Sequence, residues 1–279
     1  MPGLWPNPLV LRSPAKINLF LNVVGKRRDG YHRLETAFQF LDFADRIRYE
    51  TNENNRILRI DDHPYPLPDE DLILQAARLL GQEHGVRSGV TITLDKIIPP
   101  GSGMGGGSSN AATTLMALNQ MWGLGLRRHA LIPLAREIGA DVPLFIHGKS
   151  CWATGIGDRF EDFSPQPHWY CLCIPRVNVS TAEVFSHLEL KGPPPGLTRV
   201  DFNGGKRFNM LESVTRSLYP RVDEAFEMLN RYGQARMNGT GSSLFIQCPS
   251  KGEAIRIRDA LPENLVCRVI RSLNDITEY

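Results

Sequence analysis

One glycine-rich stretch of the chain has the composition of a phosphate-binding loop. Five of the seven residues in the range 101–107 are glycine. Because glycine lacks a Cβ and tolerates positive φ, such a backbone can present a concave row of N–H groups to a ligand. In the segment that follows, Leu115, Leu118 and Trp122 share one helical face, which predicts a helix over 111–122. A loop that opens into a helix N-terminus attracts anions, so the stretch predicts phosphate binding.

Two common phosphate motifs do not account for this loop. The Walker A pattern requires lysine where the chain has Gly107. Gly101, Gly103 and Gly106 fit the dinucleotide pattern G-x-G-x-x-G, but no Asp or Glu occurs in 108–136 to bind a ribose. A flexible linker is a further alternative. It is disfavoured because a strand-like run precedes the loop and an amphipathic helix follows it.

Two charged residues outside the loop are candidate catalytic groups. Lys16 lies between two strand-like segments, 9–12 and 17–24, and is either an exposed strand-end lysine or part of a site. Asp141 lies in a tight connection among apolar neighbours, where a carboxylate needs a partner. It can equally be the N-cap of a helix that begins at Val142, and the two roles are compatible.

The roles of two further groups of residues depend on whether they face the cavity of the glycine loop. Tyr31 and His32 follow a basic turn at 25–30, and such a pair is usually involved in packing or capping unless it faces the cavity of the glycine loop. A second run of small residues, 239–243, is either a simple hairpin turn or a wall over the bound phosphates.

The surrounding pattern predicts an α+β protein of two domains. In the first half, strands are predicted at 45–50, 57–60 and 90–94, and helices at 33–40, 72–80 (capped by Asp69), 111–122 and 130–138. In the second half, the order strand-helix-strand-strand-helix-strand is that of a ferredoxin-like split βαβ unit with extra helices. We therefore expect an N-terminal domain at 1–160, with a mixed sheet and helices, and a ferredoxin-like C-terminal domain at 161–279.

Composition narrows the class of protein. The 279 residues carry a net charge of +2, which argues against a nucleic-acid or membrane partner. No apolar run approaches the length of a membrane span, and the N-terminus lacks the features of a signal peptide, so a cytoplasmic location is expected. The five cysteines have no C-x-x-C spacing and are expected to be buried free thiols.

Taken together, these motifs resemble the GHMP family of small-molecule kinases. The glycine loop fits the family pattern P-x-x-x-G-[LM]-G-x-[GS]-S from Pro99 onward. Matching stretches also occur at 14–21, 30–32, 139–143 and 239–245, so the resemblance covers nearly the whole chain. Tyr31-His32 and the string Gly-Ala-Asp-Val-Pro at 139–143 resemble the branch that phosphorylates the C2 hydroxyl of a cytidine-diphosphate-linked methylerythritol. That reaction belongs to the non-mevalonate (MEP) route to isoprenoid precursors.

The resemblance implies a two-domain GHMP kinase fold, ATP and Mg²⁺ as cofactors, and roles for individual residues. The catalytic pair would be Lys16 and Asp141. ATP would be bound by Lys96 beside the adenine and by Pro99, Pro100, Gly101, Ser102, Gly103, Met104, Gly105, Gly106, Gly107, Ser108 and Ser109. The substrate would be bound by Asn18, Tyr31, His32, Thr181 and Phe185, with Tyr31 and Phe185 stacking on the cytosine and His32 bonding its edge. No metal ligand is assigned, although Ser108 or Ser109 could contribute a hydroxyl.

Two departures from the family pattern, and some alternatives, accompany this assignment. Asp71 replaces an asparagine near the adenine and cannot donate a hydrogen bond there, and Met210 replaces an acid in the second half. Alternatives are a GHMP kinase for another small alcohol, or a nucleotide-binding regulator without catalysis. The enzyme is expected to be a monomer or a weak homodimer.

Overall fold

The structure is a computed structural model that describes residues 7–190, 199–203, 205 and 207–277. Its strands are β1 (Leu9–Lys26), β2 (His32–Asn52), β3 (Ile57–Asp61), β4 (Gly89–Asp95), β5 (Cys151–Thr154), β6 (Arg159–Asp162), β7 (Trp169–Ile174), β8 (Ala235–Met237), β9 (Leu244–Cys248) and β10 (Val266–Leu273). Its helices are α1 (Leu72–Glu83), α2 (Gly106–Met121), α3 (Arg128–Ile138), α4 (Val142–His147), α5 (Thr181–Ser186), α6 (Arg199–Asn203), α7 (Glu212–Leu218), α8 (Pro220–Asn230) and α9 (Lys251–Ala260). The predicted α+β class is confirmed.

Two long antiparallel strands, β1 and β2, form the centre of the N-terminal half. They pair from Leu9↔Tyr49 to Lys26↔His32. The break predicted between two strands at 13–16 is instead a register shift between Pro14 and Lys16 within one continuous strand. Such a bulge bends a strand and redirects its side chains without ending the pairing.

The helix predicted at 33–40 is wrong, because these residues belong to β2. The local spacing of Leu34, Ala37 and Phe38 suits a helix, but it suits a strand as well. Residues 36–38 pair with β1 and also with β5, so hydrogen bonds from two neighbouring strands determine their conformation. Tertiary pairing here overrides the local pattern.

Helices α1 and α2 pack on the sheet of the N-terminal half, and α3 and α4 pack on these helices and on each other. The helices and the sheet enclose one large apolar cluster that includes Phe40, Ile47, Ile92 and Leu115. Helix α1 begins after Asp71, whose carboxylate accepts the backbone N–H of Leu74 at 3.0 Å. The cap is therefore Asp71 and not Asp69, because an N-cap side chain must directly precede the first helical residue.

The C-terminal half contains the strand order β10-β7-β9-β8, all antiparallel, with α9 packed on β7, β9 and β10. The predicted ferredoxin-like order is confirmed. Strand β10 also pairs with β2 at Ser272↔Leu41, so the two halves share one continuous sheet. The predicted domain boundary after residue 160 falls within β6 and stays a prediction.

Another apolar cluster joins the two halves. It packs Ile17 and Phe20 of β1 against Tyr170 of β7 and Phe245 of β9. The five cysteines are free and buried, as predicted. None of the helices in the described ranges has the length and apolar character that crossing a membrane requires.

Candidate active site

The glycine loop enters α2 with a backbone geometry suited to anions. Gly105 is the N-cap in the left-handed region, at φ 70°, and no side chain caps the helix. The first helical bond runs from Ser109 N to Gly105 O at 2.8 Å. The N–H groups of Gly106, Gly107 and Ser108 therefore precede the intrahelical bonding and, with the helix dipole, favour an anion at this end.

A buried carboxylate holds both ends of the loop in place. Asp45 Oδ1 accepts the backbone N–H groups of Ile97 and Ile98 at 2.7 and 2.8 Å. Its Oδ2 accepts Lys96 Nζ at 2.7 Å and Asn110 Nδ2 at 2.9 Å. Because Asn110 lies in the first turns of α2, Asp45 links the residues before the loop to the helix that follows it.

The second small-residue turn lies directly against the glycine loop. Ser243 donates to Ser102 O from its backbone N at 3.1 Å and from its hydroxyl at 2.6 Å. Gly103 approaches so closely that an added Cβ would lie 2.5 Å from Asn238 O. This glycine is therefore required by the contact as well as by its φ of 74°. The turn joins β8 to β9, as predicted for a hairpin, and Gly239 and Thr240 of this turn line the cavity beside the glycine loop. A role of the turn over bound phosphates stays a prediction.

The side chain of Asn238 connects the glycine loop and the second turn to strand β1. Its Oδ1 accepts the backbone N–H of Asn18 at 2.8 Å, and its Nδ2 lies 3.2 Å from both Lys16 O and Gly103 O. One amide side chain thereby joins residues from three distant parts of the sequence.

Lys16 and Asp141, the pair that the family resemblance implies to be catalytic, lie side by side. Lys16 Nζ is 3.6 Å from Asp141 Oδ2 and donates to Asn18 Oδ1 at 2.8 Å. Asn18 in turn donates to Thr36 Oγ1 at 2.8 Å, which fixes the orientation of its amide. Asp141 precedes α4, but its side chain makes no capping bond. The carboxylate is therefore available to Lys16 and to a ligand.

Burial controls the charge state of Lys16. Its side chain is 6% exposed, and desolvation holds the pKa of Lys16 below its ordinary value although Asp141 acts in the opposite direction. The Phe38 ring, whose centroid is 5.5 Å from Nζ, adds a favourable cation–π contact. An ammonium in this position is poorly hydrated and interacts strongly with any anionic group that enters the site.

A cavity of about 300 Å³ opens in front of these groups. Most of the predicted site residues line it: Lys16, Asn18, Pro99, Pro100, Gly101, Ser102, Gly103, Gly105, Gly106, Gly107, Ser108, Asp141, Thr181 and Phe185. Gly239 and Thr240 of the second turn complete its wall. Thr240 and Thr181 lie within hydrogen-bonding distance, with their hydroxyl oxygens 3.1 Å apart.

A second cavity, of about 650 Å³, shares a wall with the first. Tyr31 and His32 line only this second cavity, whereas Ser108, Asp141 and Thr181 line both. Phe185 also lines both, and its ring stacks on that of His32 with the centroids 4.8 Å apart. Asp141 thus lies at the junction of a glycine-lined cavity and an aromatic one.

Three of the predicted ATP-binding residues line neither cavity. Met104 is fully buried in the cluster that joins the two halves. Ser109 is buried and accepts a hydrogen bond from Ser13 at 2.8 Å. The ammonium of Lys96 is buried between Asp45 and Asn110. A role for Lys96 beside the adenine stays a prediction.

The two departures from the family pattern have structural partners. Besides capping α1, Asp71 lies 3.1 Å from Arg59 Nη1, so the carboxylate is largely occupied by protein groups. Met210 donates its backbone N–H to Leu21 O at 3.0 Å, and its sulfur lies 3.3 Å from Val23 N. In place of an acid, Met210 packs against β1.

Sequence reasoning missed Asp45, Asn238 and Thr36. Asp45 could have been found from the sequence, because it alternates with the apolar residues Phe43 and Ile47 along one strand, and an acid on an apolar face needs a buried partner. The sequence contains no local signal for Asn238, because its hydrogen-bond partner Lys16 is 222 residues away.

Comparison with known proteins identifies the family to which the chain belongs. Residues 71–149 match the family described as GHMP kinases N terminal domain, and residues 201–267 match GHMP kinases C terminal. A protein of Halorhodospira halophila named 4-diphosphocytidyl-2-C-methyl-D-erythritol kinase is 44% identical over 263 residues, covering 93% of this chain and 89% of the relative. One of the same name from Nitrosococcus oceani is 42% identical and covers 94% and 91%.

Solved structures agree as well. The chain superposes on a crystal structure of 4-(cytidine 5'-diphospho)-2C-methyl-D-erythritol kinase with a TM-score of 0.81 at 31% identity, covering 95% of this chain and 99% of the other. A homoserine kinase of Cytophaga hutchinsonii, at 16% identity, shares the fold with a TM-score of 0.72 and covers 98% and 96%.

The fold and the two matched family models define an ATP-dependent small-molecule kinase of the GHMP class. Within that class, the chain belongs to the 4-diphosphocytidyl-2-C-methyl-D-erythritol kinase family.

Proposed function

We propose that this kinase transfers the γ-phosphoryl group of ATP to the C2 hydroxyl of 4-diphosphocytidyl-2-C-methyl-D-erythritol, in the non-mevalonate route to isoprenoid precursors. One observation carries the proposal: Asp141 lies in the shared wall of a glycine-lined cavity and an aromatic cavity. A donor triphosphate in the first cavity and a cytidine in the second would meet at that residue.

The donor is held mainly by backbone. The N–H groups at the start of α2 and the small residues of the loop allow close approach of the ATP phosphates. Asp45 and Asn238 hold the loop in this conformation before any ligand binds, which lowers the entropy cost of binding.

Asp141 and Lys16 carry the chemical step. An aspartate is a weak base toward an alcohol, so Asp141 orients the acceptor hydroxyl and accepts its proton late in the transfer. Lys16 lies 3.6 Å from that carboxylate and stabilises the negative charge shared among the acceptor oxygen, the carboxylate and the transferring group. Asn18, held by Thr36 and Asn238, keeps the ammonium aimed at the junction.

The donor set at the junction fits Mg²⁺. Hard cations prefer oxygen ligands, and the Ser108 hydroxyl and the Asp141 carboxylate line the same cavity. Ser109 fits less well, because it is buried against Ser13. When bound, Mg²⁺ supplies positive charge that neutralises the phosphate oxygens during transfer.

The acceptor base would enter the aromatic cavity. Tyr31 is 58% exposed and presents a free platform at its rim. Burial and the charge of Lys26 hold the pKa of His32 below its ordinary value, so its ring is neutral at neutral pH and can both donate and accept a hydrogen bond. A neutral imidazole stacked on Phe185 could therefore form hydrogen bonds with the polar edge of cytosine, which carries both an acceptor and an amino donor.

The test measures ADP formation from ATP with and without 4-diphosphocytidyl-2-C-methyl-D-erythritol, using homoserine and mevalonate as competing acceptors. In the presence of ATP, turnover is expected with the cytidyl substrate but not with homoserine or mevalonate. Asp141→Asn should lower kcat by about 10²–10⁴-fold. Equal turnover with homoserine or mevalonate would support a kinase for another small alcohol. An undiminished rate for Asp141→Asn would overturn the role of that residue.

The predicted state of monomer or weak homodimer also belongs to this proposal. Sedimentation over a range of concentrations tests it, and an obligate higher oligomer would contradict it.

A further inference from the structure

The C-terminal sheet contains a cluster of thiols that the kinase reaction does not use. The Sγ atoms of Cys171, Cys173 and Cys267 all lie within 4.8 Å of one another. All three belong to the apolar cluster of the C-terminal half, which also contains Ala254 and Ile257 of α9. None of the three lines either cavity of the active site.

Strand register selects one pair within this cluster. Cys173 of β7 lies directly opposite Cys267 of β10, and their Sγ atoms are 2.7 Å apart. Residues directly opposite in an antiparallel pair have Cα atoms about 4.5–5.5 Å apart, within the range of about 4.4–6.8 Å that a disulfide accepts.

Cys171 is less well placed for a bridge. It lies two residues before Cys173 on the same strand, at a Cα separation of about 6.6 Å, near the limit for a disulfide. Its register partner on β10 is Val269, so its approach to Cys267 is diagonal, at about 7–8 Å.

The same geometry disfavours a metal ion. Two thiolates that bind one ion at about 2.3 Å lie close to 4 Å apart, whereas the sulfurs of Cys173 and Cys267 are 2.7 Å apart. A metal would force this pair apart, but a disulfide needs only a small further approach.

We propose that Cys173 and Cys267 are an oxidisable pair that forms a cross-strand disulfide when the folded enzyme meets a peroxide. Cys267 reacts first. Of the three cysteine residues it alone retains some exposure, at 8%, while the other two are fully buried. The neighbouring thiols hydrogen-bond to its sulfur and hold the pKa of Cys267 below its ordinary value.

The chemistry balances with hydrogen peroxide as the oxidant. The Cys267 thiolate attacks one peroxide oxygen, an S–O bond forms, the O–O bond breaks, and the leaving hydroxide takes a proton to become water. The Cys173 sulfur then attacks the sulfenic sulfur, the S–S bond forms, and the S–O bond breaks. The hydroxide released leaves as a second water with the Cys173 proton.

The experiment uses the reduced full-length enzyme, freed of reductant and treated with hydrogen peroxide in native buffer. After denaturing alkylation, intact mass should show that the number of free thiols has fallen by two, and digestion should yield a peptide that links Cys173 to Cys267. Treatment with a dithiol reductant should restore all five thiols. Kinase turnover should be unchanged. The unfolding midpoint should rise, because the bridge closes a long loop in the unfolded chain.

Matched variants make the outcome decisive. Cys267→Ala should abolish the loss of thiols, whereas Cys171→Ser and Cys151→Ser should retain the linked peptide. Cys151 is a suitable control because it lies on β5 in the other half, where burial raises its pKa to about 12. An unchanged thiol count, or a link made mainly by another cysteine, would overturn the proposal. The peptide map of the unmutated enzyme decides the matter even if Cys267→Ala does not fold.

Discussion

Lys96 Nζ lies 2.7 Å from Asp45 Oδ2, and the side chains of both residues are buried. The same ammonium donates to Asn110 Oδ1 at 3.0 Å. The lysine that the family pattern associates with adenine thus has two protein partners, and it is part of the network that shapes the glycine loop. This network makes the geometry of the phosphate site depend on a carboxylate of β2.

Asp45→Asn is expected to lower the free energy of unfolding by about 3 kcal/mol. The change leaves the Lys96 ammonium buried without a carboxylate, and removing one partner of a buried ion pair is costly. Urea unfolding measures this effect. The matched control is Glu50→Gln, which breaks the exposed pair with Arg48 and should cost less than about 1 kcal/mol. Equal small losses in both variants would contradict the anchoring role of Asp45.

Combining Asp45→Asn with Lys96→Met tests whether the two residues act as a unit. The double variant should be more stable than the sum of the two single losses predicts, by about 1–3 kcal/mol. The reason is that each single change leaves the other residue buried without its partner. KM for ATP gives the second measurement. If Lys96→Met raises the KM for ATP while stability is unchanged, Lys96 contacts the adenine and does not stabilise the fold through Asp45.

Gly103→Ala should destabilise the enzyme by at least about 2 kcal/mol, whereas Gly107→Ala should not. At Gly103 the φ is 74°, and a Cβ would lie 2.5 Å from Asn238 O and 2.7 Å from Gly241 O. At Gly107 the nearest neighbour of an added Cβ is Leu72 Cδ1 at 3.5 Å, which is an ordinary van der Waals contact. Thermal or urea unfolding of both variants checks this. Equal stability of the two would show that the second turn does not approach Gly103 closely.

A structural feature of this protein is predictable from the sequence when the residues that determine it are close together along the chain. The glycine loop and the helix after it are local features, so their existence was predictable from 101–122 alone. The predicted start of the helix at Ala111 was wrong, because the helix begins at Gly106, within the glycine-rich stretch. The strand at 33–40 was predicted as a helix, because its conformation depends on β1 and β5, which no local pattern reveals. The roles of Lys16 and Asp141 came from resemblance, whereas the tie through Asn238 joins residues 222 positions apart and left no local trace.

Asp141→Asn should increase the reactivity of Lys16 toward amine-directed reagents. Burial lowers the Lys16 pKa and Asp141 raises it, so removing the carboxylate charge lowers the pKa further. Each unit of lowering makes the neutral, nucleophilic amine about tenfold more abundant at a pH well below the pKa. Labelling of Lys16, followed by peptide mass spectrometry from about pH 7 to about pH 9, measures the effect. The other lysines serve as internal references, and slower labelling of Lys16 in the variant would contradict the prediction.

His32→Ala and His32→Phe should separate the two functions of this ring in the aromatic cavity. His32 stacks on Phe185 at 4.8 Å and lines the second cavity but not the first. Because an edge hydrogen bond and a stack are each worth about 0.5–1.5 kcal/mol, His32→Ala should lower kcat/KM for the cytidyl substrate by about 10–10²-fold. His32→Phe retains the stack and should lose about tenfold. KM for ATP should stay unchanged in both variants, since the donor cavity is intact. A rise in KM for ATP equal to that for the acceptor would mean that the two cavities do not divide the substrates in this way.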